Sequence, residues 1–177
     1  MKLRNYEFKA RAQNLNKLEQ KLLELNPVFM GEDHQIDTYF NVKTGHLKMR
    51  EGNIENALIY YERPDTANAK QSDIILYRHL PDSSLKDILI KVLGIKVVVY
   101  KIRKIYFIGN VKFHFDIVRE LGTYFEVEAI DETGNTGPEE LEEQCKFYFD
   151  YFDLSRSDYI KESYSDLILE KLKKENT

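Results

Sequence analysis

The chain has a single cysteine, Cys145, no tryptophan, and only four prolines and eight glycines in 177 residues. One cysteine cannot form an internal disulfide, and the scattered prolines and glycines mark no linker. Long apolar runs are also missing. The most apolar stretch, residues 88–108, is broken by Lys91, Lys96, Lys101, Arg103 and Lys104, well short of the ~18 uninterrupted apolar residues a spanning helix needs. The N-terminus begins Met1-Lys2-Leu3-Arg4-Asn5, without an apolar signal core. There is no basic excess, since 26 Lys and Arg stand against 30 Asp and Glu for a net charge of -4, which argues against a general nucleic-acid binder. Histidines 34, 46, 79 and 114 show no ligand spacing, so a zinc site is not expected. These absences leave one cytoplasmic globular domain over residues 1–177, with no membrane and no nucleic-acid partner. A chain of this length buries about two thirds of its unfolded surface.

Strand signals dominate what is present. Residues 2–11, 35–41, 46–51, 57–63, 73–80, 96–108, 111–119 and 123–130 are short runs rich in Tyr, Phe, Val and Ile, separated by turn residues. Gly109-Asn110 reads as a two-residue hairpin with glycine first, and Thr44-Gly45 and Gly52-Asn53 mark two more tight connections. Consecutive hairpins give a largely antiparallel sheet. Four segments carry a helical period instead: 14–25, with Asn14 as N-cap and Asn26-Pro27 as stop; 83–93, with a serine cap, the stripe Leu85, Ile88, Leu89 and Val92, and a terminating Gly94; 138–152, opening Pro138-Glu139-Glu140; and 158–172. These helices are expected on the outside of the sheet. The charged segment 170–177 is expected to fray.

Residues i and i+2 of a strand share a face. Lys9 and Arg11, Lys48 and Arg50, Lys101 and Arg103, and Glu126 and Glu128 are such pairs, and His114 and Asp116 alternate with Phe113 and Phe115. A solvent-facing strand surface accounts for each strand taken singly. It accounts less well for the segregation of sign, because like charges ~7 Å apart repel by roughly 0.6 kcal/mol in water and by more when partly buried. A polyanion between the strands turns that repulsion into charge-assisted contacts, and paired glutamates supply hard oxygen ligands for Mg²⁺ or Mn²⁺. Eight strands can close with an interior wide enough for one small ligand. The charged face would then be the inside.

In order along the chain, Glu7-Phe8-Lys9-Ala10-Arg11, Leu47-Lys48-Met49-Arg50-Glu51, Tyr60-Tyr61-Glu62-Arg63-Pro64-Asp65, Lys101-Ile102-Arg103 with Tyr106, and Asp116 through Leu121-Gly122 to Phe125-Glu126-Val127-Glu128 resemble the motifs of the CYTH superfamily. These are the triphosphate tunnel metalloenzymes. The similarity is greatest to the class IV adenylate cyclase-like branch, through 33–40 and Ser163-Tyr164-Ser165-Asp166-Leu167, and it covers about residues 3–169. The resemblance implies an α+β fold: a closed eight-stranded antiparallel β-barrel, or triphosphate tunnel, with helices packed outside. It implies a triphosphate substrate, either ATP converted to cyclic AMP and pyrophosphate or, as alternatives, thiamine triphosphate, tripolyphosphate or a nucleoside triphosphate hydrolysed at the same site. A binding module without turnover is a further alternative. By the resemblance, Lys9, Lys48, Arg50, Arg63, Lys101 and Arg103 match phosphate-binding positions, while Arg11 is added on parity alone. Glu7, Glu126 and Glu128 match metal-binding positions for Mg²⁺ or Mn²⁺, Asp116 is a further acid, and Glu7, Lys9, Arg103, Glu126 and Glu128 are the catalytic set. Tyr106 matches a recurrent position without an assigned role. Asn5 stands where the family's first strand carries an acid, and the fifth strand has Ser72-Asp73 where many members carry two glutamates. A homodimer is compatible with the residues, although none of them fixes it.

Overall fold

Strand alternation decides which way this sheet curls. In the computed structural model, which describes residues 1–62, 70–80 and 82–175, the strands are β1 (Lys2–Arg11), β2 (Val28–Phe40), β3 (His46–Glu51), β4 (Ala57–Glu62), β5 (Lys70–Arg78), β6 (Ile95–Ile108), β7 (Val111–Val118) and β8 (Gly122–Asp131). They close into a barrel in the order β1-β5-β4-β3-β2-β6-β7-β8, with every neighbour antiparallel. The β6–β7 hairpin turns on Gly109, whose φ of 57° suits glycine at the first turn position. Strand β2 starts earlier than its aromatic residues suggest, because the polar stretch from Gly31 to His34 pairs with the long β6.

The helices are α1 (Leu15–Leu23), α2 (Ser83–Leu93), α3 (Pro138–Tyr151) and α4 (Tyr164–Glu175). The Asn14 side chain caps α1 by accepting from the Lys17 amide at 3.0 Å. Helix α2 is capped by Asp82, which accepts from the Ser84 amide at 2.8 Å, and not by serine. Its apolar stripe is not sealed, since no residue of α2 is buried and Ile88 and Val92 are exposed. Helix α4 begins at Tyr164, six residues later than its period suggests. A reciprocal capping box sets that start, with Ser163 Oγ accepting from the Asp166 amide at 3.1 Å and Asp166 Oδ2 accepting from the Ser163 amide at 3.3 Å. Among the described residues, no helix is long and apolar enough to cross a membrane.

The main core lies outside the barrel. Tyr6, Phe8, Phe113, Phe115, Phe125, Val127 and Ala129 point outward from β1, β7 and β8 and pack against Leu22 of α1 and Leu141, Cys145 and Tyr148 of α3. Each fully buried large side chain contributes about 1.5–3 kcal/mol, so this layer forces the opposite face of the same strands inward. Cys145 belongs to this layer. It is buried, its thiol donates to the Tyr6 carbonyl at 3.1 Å, and burial pushes its pKa up to about 12, so it is an inert packing residue. A second cluster joins Val99, Val118 and Tyr124 to Tyr164 and Ile168 of α4 at the end of the barrel where β1 finishes.

Candidate active site

The inward positions enclose a cavity of about 490 Å³. Its lining includes Glu7, Lys9, Lys48, Arg50, Lys101, Arg103, Glu126 and Glu128, which come from β1, β3, β6 and β8. The charged face expected from strand parity is therefore the inside of the tunnel.

The cations converge on one carboxylate. Asp37, wholly buried on β2, accepts from Arg50 Nε at 2.8 Å and Nη2 at 2.9 Å, from Lys48 Nζ at 3.1 Å and from Lys101 Nζ at 2.8 Å. Burial opposes its charge, yet Arg50, Lys101 and Lys48 together hold its pKa well below the usual carboxylate range. Lys101 feels the same crowd from the other side. Burial, then the neighbouring Arg103, Arg50 and Lys48, push its pKa well down despite Asp37. Three cations meet at Asp37, and although Arg50 also bonds Glu55 at 2.9 Å, positive charge is crowded in a site largely withdrawn from water. Lys9 extends it, with Nζ donating to the Glu162 carbonyl at 3.2 Å and lying 4.3 Å from the centre of the Tyr164 ring.

Arg103 has a different setting. Its Nε and Nη2 bond both oxygens of Asp116 at 2.7 and 2.6 Å, and Nη2 also reaches Glu126 at 3.1 Å. Tyr164 donates its hydroxyl to Asp116 at 2.7 Å. Both Asp116 oxygens are thus engaged, which fixes the direction of the Arg103 guanidinium. Burial works against the charge of Glu126, but Arg103 keeps its pKa well below the usual range.

The carboxylates gather on the opposite seam. Glu7 and Glu128 face each other directly across β1 and β8, with Glu126 beside Lys9 in the same ladder. Asn5 bridges them, donating from Nδ2 to Glu128 at 2.5 Å and to Glu7 at 3.3 Å. Burial, followed by repulsion from Glu7 and Glu126, raises the pKa of Glu128. Among the described residues, no three of His, Cys, Asp and Glu enclose a metal by themselves. The donors nevertheless fit a hard divalent ion, because three carboxylates crowd one seam and the buried Asn5 Oδ1 beside them has no hydrogen-bond partner among the described residues. Mg²⁺ is commonly held by one or two carboxylates with water and substrate phosphate completing the shell.

The remaining residues named from the sequence are placed as follows. Arg11 has inward parity but is the last residue of β1, opposite Tyr124, and is exposed, with its guanidinium 5.2 Å from the Tyr124 ring centre and donating to the Leu121 carbonyl at 3.4 Å. Asp73 points outward and meets Arg4 at 3.8 Å, and Ser72 is the inward residue. Tyr106 faces α1 and donates to Glu19 at 2.5 Å, outside the tunnel. Arg63 lies outside the described residues. His114 does line the cavity, with Nδ1 3.9 Å from Glu126, and among the described residues neither ring nitrogen is within hydrogen-bond distance of a partner. Burial, with Arg103 and Lys112 close by, lowers its pKa to about 3, so it is neutral at pH 7.

Several polar residues inside the barrel were given no role from the sequence. Asp33, Gln35 and Asp37 repeat at spacing two and are buried, and Lys112 shares the parity of His114, so parity could have placed them. Glu55 pairs with Arg50 at 2.9 Å and with Lys112. It is held by the β3–β4 turn, where Asp33 accepts from the Ile54 and Glu55 amides at 2.9 and 3.0 Å. Gly52 permits that clamp, since a Cβ there would lie 2.5 Å from Asp33 Oδ1. Tyr164 arrives from α4, and no local signal predicts it.

The CYTH domain family matches residues 3–161. The chain belongs to that family. Among solved structures, the fold of this CYTH domain is similar to the PH1012 protein of Pyrococcus horikoshii, with a TM-score of 0.78 and 24% identity over 92% of this chain and 98% of that one. It is also similar to a candidate adenylate cyclase of Vibrio parahaemolyticus, with a TM-score of 0.72 and 18% identity over 93% of this chain and 97% of that one. A candidate adenylyl cyclase of Hippeastrum, described as having a dominant triphosphatase activity, gives a TM-score of 0.60 and 13% identity over 96% of this chain and 94% of that one. No curated protein matches the chain.

Proposed function

We propose that this CYTH domain is a metal-dependent enzyme that binds a nucleoside or organic triphosphate in its tunnel and releases pyrophosphate from it, as a class IV adenylate cyclase does with ATP. The observation that carries the reading is the convergence of Lys48, Arg50 and Lys101 on the single carboxylate of Asp37. A protein gains nothing from three crowded cations unless an anion completes them, and phosphate oxygens meet that need through charge-assisted hydrogen bonds. Lys9 and Arg103 extend the grip, and Asp116 with Tyr164 fixes the direction of the Arg103 guanidinium. Glu7, Glu126 and Glu128 would hold Mg²⁺ or Mn²⁺, which supplies Lewis acidity at a phosphoryl oxygen when bound. The remaining work belongs to the residues. The cations neutralise the phosphate chain and stabilise the leaving pyrophosphate, and the enclosed tunnel limits competing water. A cytoplasmic setting goes with this reading.

Incubation with ATP, thiamine triphosphate or tripolyphosphate and either metal tests it. Cyclic AMP with pyrophosphate supports a cyclase, and orthophosphate supports a triphosphatase, the reading favoured by the Hippeastrum neighbour's described activity. Tight binding with no product from any pair supports a binding module, which the replacement of the first-strand acid by Asn5 would explain.

A further inference from the structure

The tunnel wall is charged around most of its circumference, but the middle of β4 and β5 is not. The inward residues there are Ala57, Ile59 and Tyr61 on one strand and Ser72, Ile74 and Leu76 on the other, and farther along β5 Arg78 lines the cavity and meets Glu132 at 3.5 Å. Ala57 and Ile59 form a small cluster with Ile74 and Leu76 packed against it. That cluster faces a cavity lined by cations on its far side, so it is not the edge of a continuous core. Two polar atoms lie buried along the same strand and its exit with no hydrogen-bond partner among the described residues, Ser72 Oγ and His79 Nε2, and both residues line the cavity. Apolar area with uncharged hydrogen-bonding atoms suits an organic group and gives nothing to phosphate, whose burial against hydrocarbon is costly.

The tunnel is also graded along its length. The inward face of β1 reads Leu3, Asn5, Glu7, Lys9, an apolar group, an amide, a carboxylate and a cation over about 20 Å of strand. The partner strands keep the order: Leu3 pairs with Ile74, Glu7 with Glu128, and Lys9 with Glu126. At the cationic end the cavity is lined by Ser163 and Tyr164, and at the other by His79 and Leu80, the latter fully exposed at the rim.

We propose that the β4–β5 wall is a subsite for the organic group of the substrate, so that this protein takes an organic triphosphate with its terminal phosphate at the Lys9, Lys48 and Lys101 end and disfavours inorganic tripolyphosphate. This rests on the triphosphate reading above and adds a direction to it. In that register the α-phosphorus lies nearest Glu7 and Glu128. A hydroxyl or water oxygen then bonds to it, the α–β bridging bond breaks, pyrophosphate leaves with the electron pair, and the proton of the nucleophile passes to solvent.

Calorimetric titration of the full chain with ATP, thiamine triphosphate and tripolyphosphate tests the subsite. A tunnel that read charge alone would bind tripolyphosphate, the most highly charged, most tightly. The subsite requires at least one organic triphosphate to bind about 10-fold more tightly than tripolyphosphate. Leu76→Ala should weaken that organic ligand about 5- to 20-fold by removing buried apolar contact, with tripolyphosphate changed less than about twofold on the same ground, since phosphate gains nothing from that contact. Ile74→Asp should do the same more strongly, and if its melting curve shows it unfolded, Leu76→Ala decides alone. Tightest binding of tripolyphosphate, or equal losses of both ligand types in Leu76→Ala, overturns the subsite and leaves the triphosphate tunnel standing. Failure of all three ligands to bind overturns both.

Discussion

The two sides of the charged wall carry opposite imbalances. Around Asp37, three cations share one carboxylate. Around Glu128, two further carboxylates press close enough to raise its pKa, with Lys112 as the nearest counter-charge. Either arrangement alone would be a poor way to stabilise a barrel, because buried like charges repel and their desolvation is not recovered. Together they describe a site completed from outside, by an anion on one side and a cation on the other. The outward aromatic layer under α1 and α3 supplies the stability that this interior forgoes.

The comparison breaks first at Asp37. Replacing it with alanine leaves Lys48 and Lys101 without this acid and Arg50 with Glu55 alone, and the unliganded protein should lose about 3–5 kcal/mol by denaturant titration. Saturating triphosphate should restore part of that loss, because the ligand brings the missing negative charge. On the other side, Glu126→Gln with Glu128→Gln should cut metal-dependent turnover by about 10²–10³-fold while phosphate affinity stays within a few-fold. Lys48→Ala with Arg50→Ala should do the reverse, weakening ATP binding by about 10–100-fold as charge-assisted contacts are lost. Equal loss of turnover and affinity in both pairs would erase the distinction between the two sides.

The smallest effect concerns stability and pH. Glu128 has a folded pKa raised above 4.5, so its ionisation costs the folded state at neutral pH, and the cost disappears as pH falls through the folded pKa toward 4.5. Glu128→Gln should therefore raise the Tm of the unliganded protein at pH 7. The gain should vanish in melts near pH 4.

How far the sequence reveals this site depends on whether the information is local. Lys9, Lys48, Arg50, Arg103, Glu126 and Glu128 are legible because a strand places every second residue on one face and these pairs keep one sign. Asp37 is equally inward, but it sits among Asp33, Gln35 and Tyr39, a mixture without a repeated charge. Arg11 shows the limit of parity, which gives the face and not the end of the barrel. Of the adjacent Ser72 and Asp73, alternation sends Ser72 inward and the acid outward to Arg4. Tyr164 reaches Asp116 from 48 residues away in sequence, a contact only the closed barrel and the capped α4 create.

The central claim, that the cations around Asp37 exist to hold phosphate, is tested most directly by titrating metal-free protein with ATP in a calorimeter, parent beside Lys48→Ala/Arg50→Ala. The account predicts binding by the parent without added metal and a loss of about 10-fold or more in the double variant. Equal affinity in the two proteins, or no binding by the parent until metal is added, would contradict it.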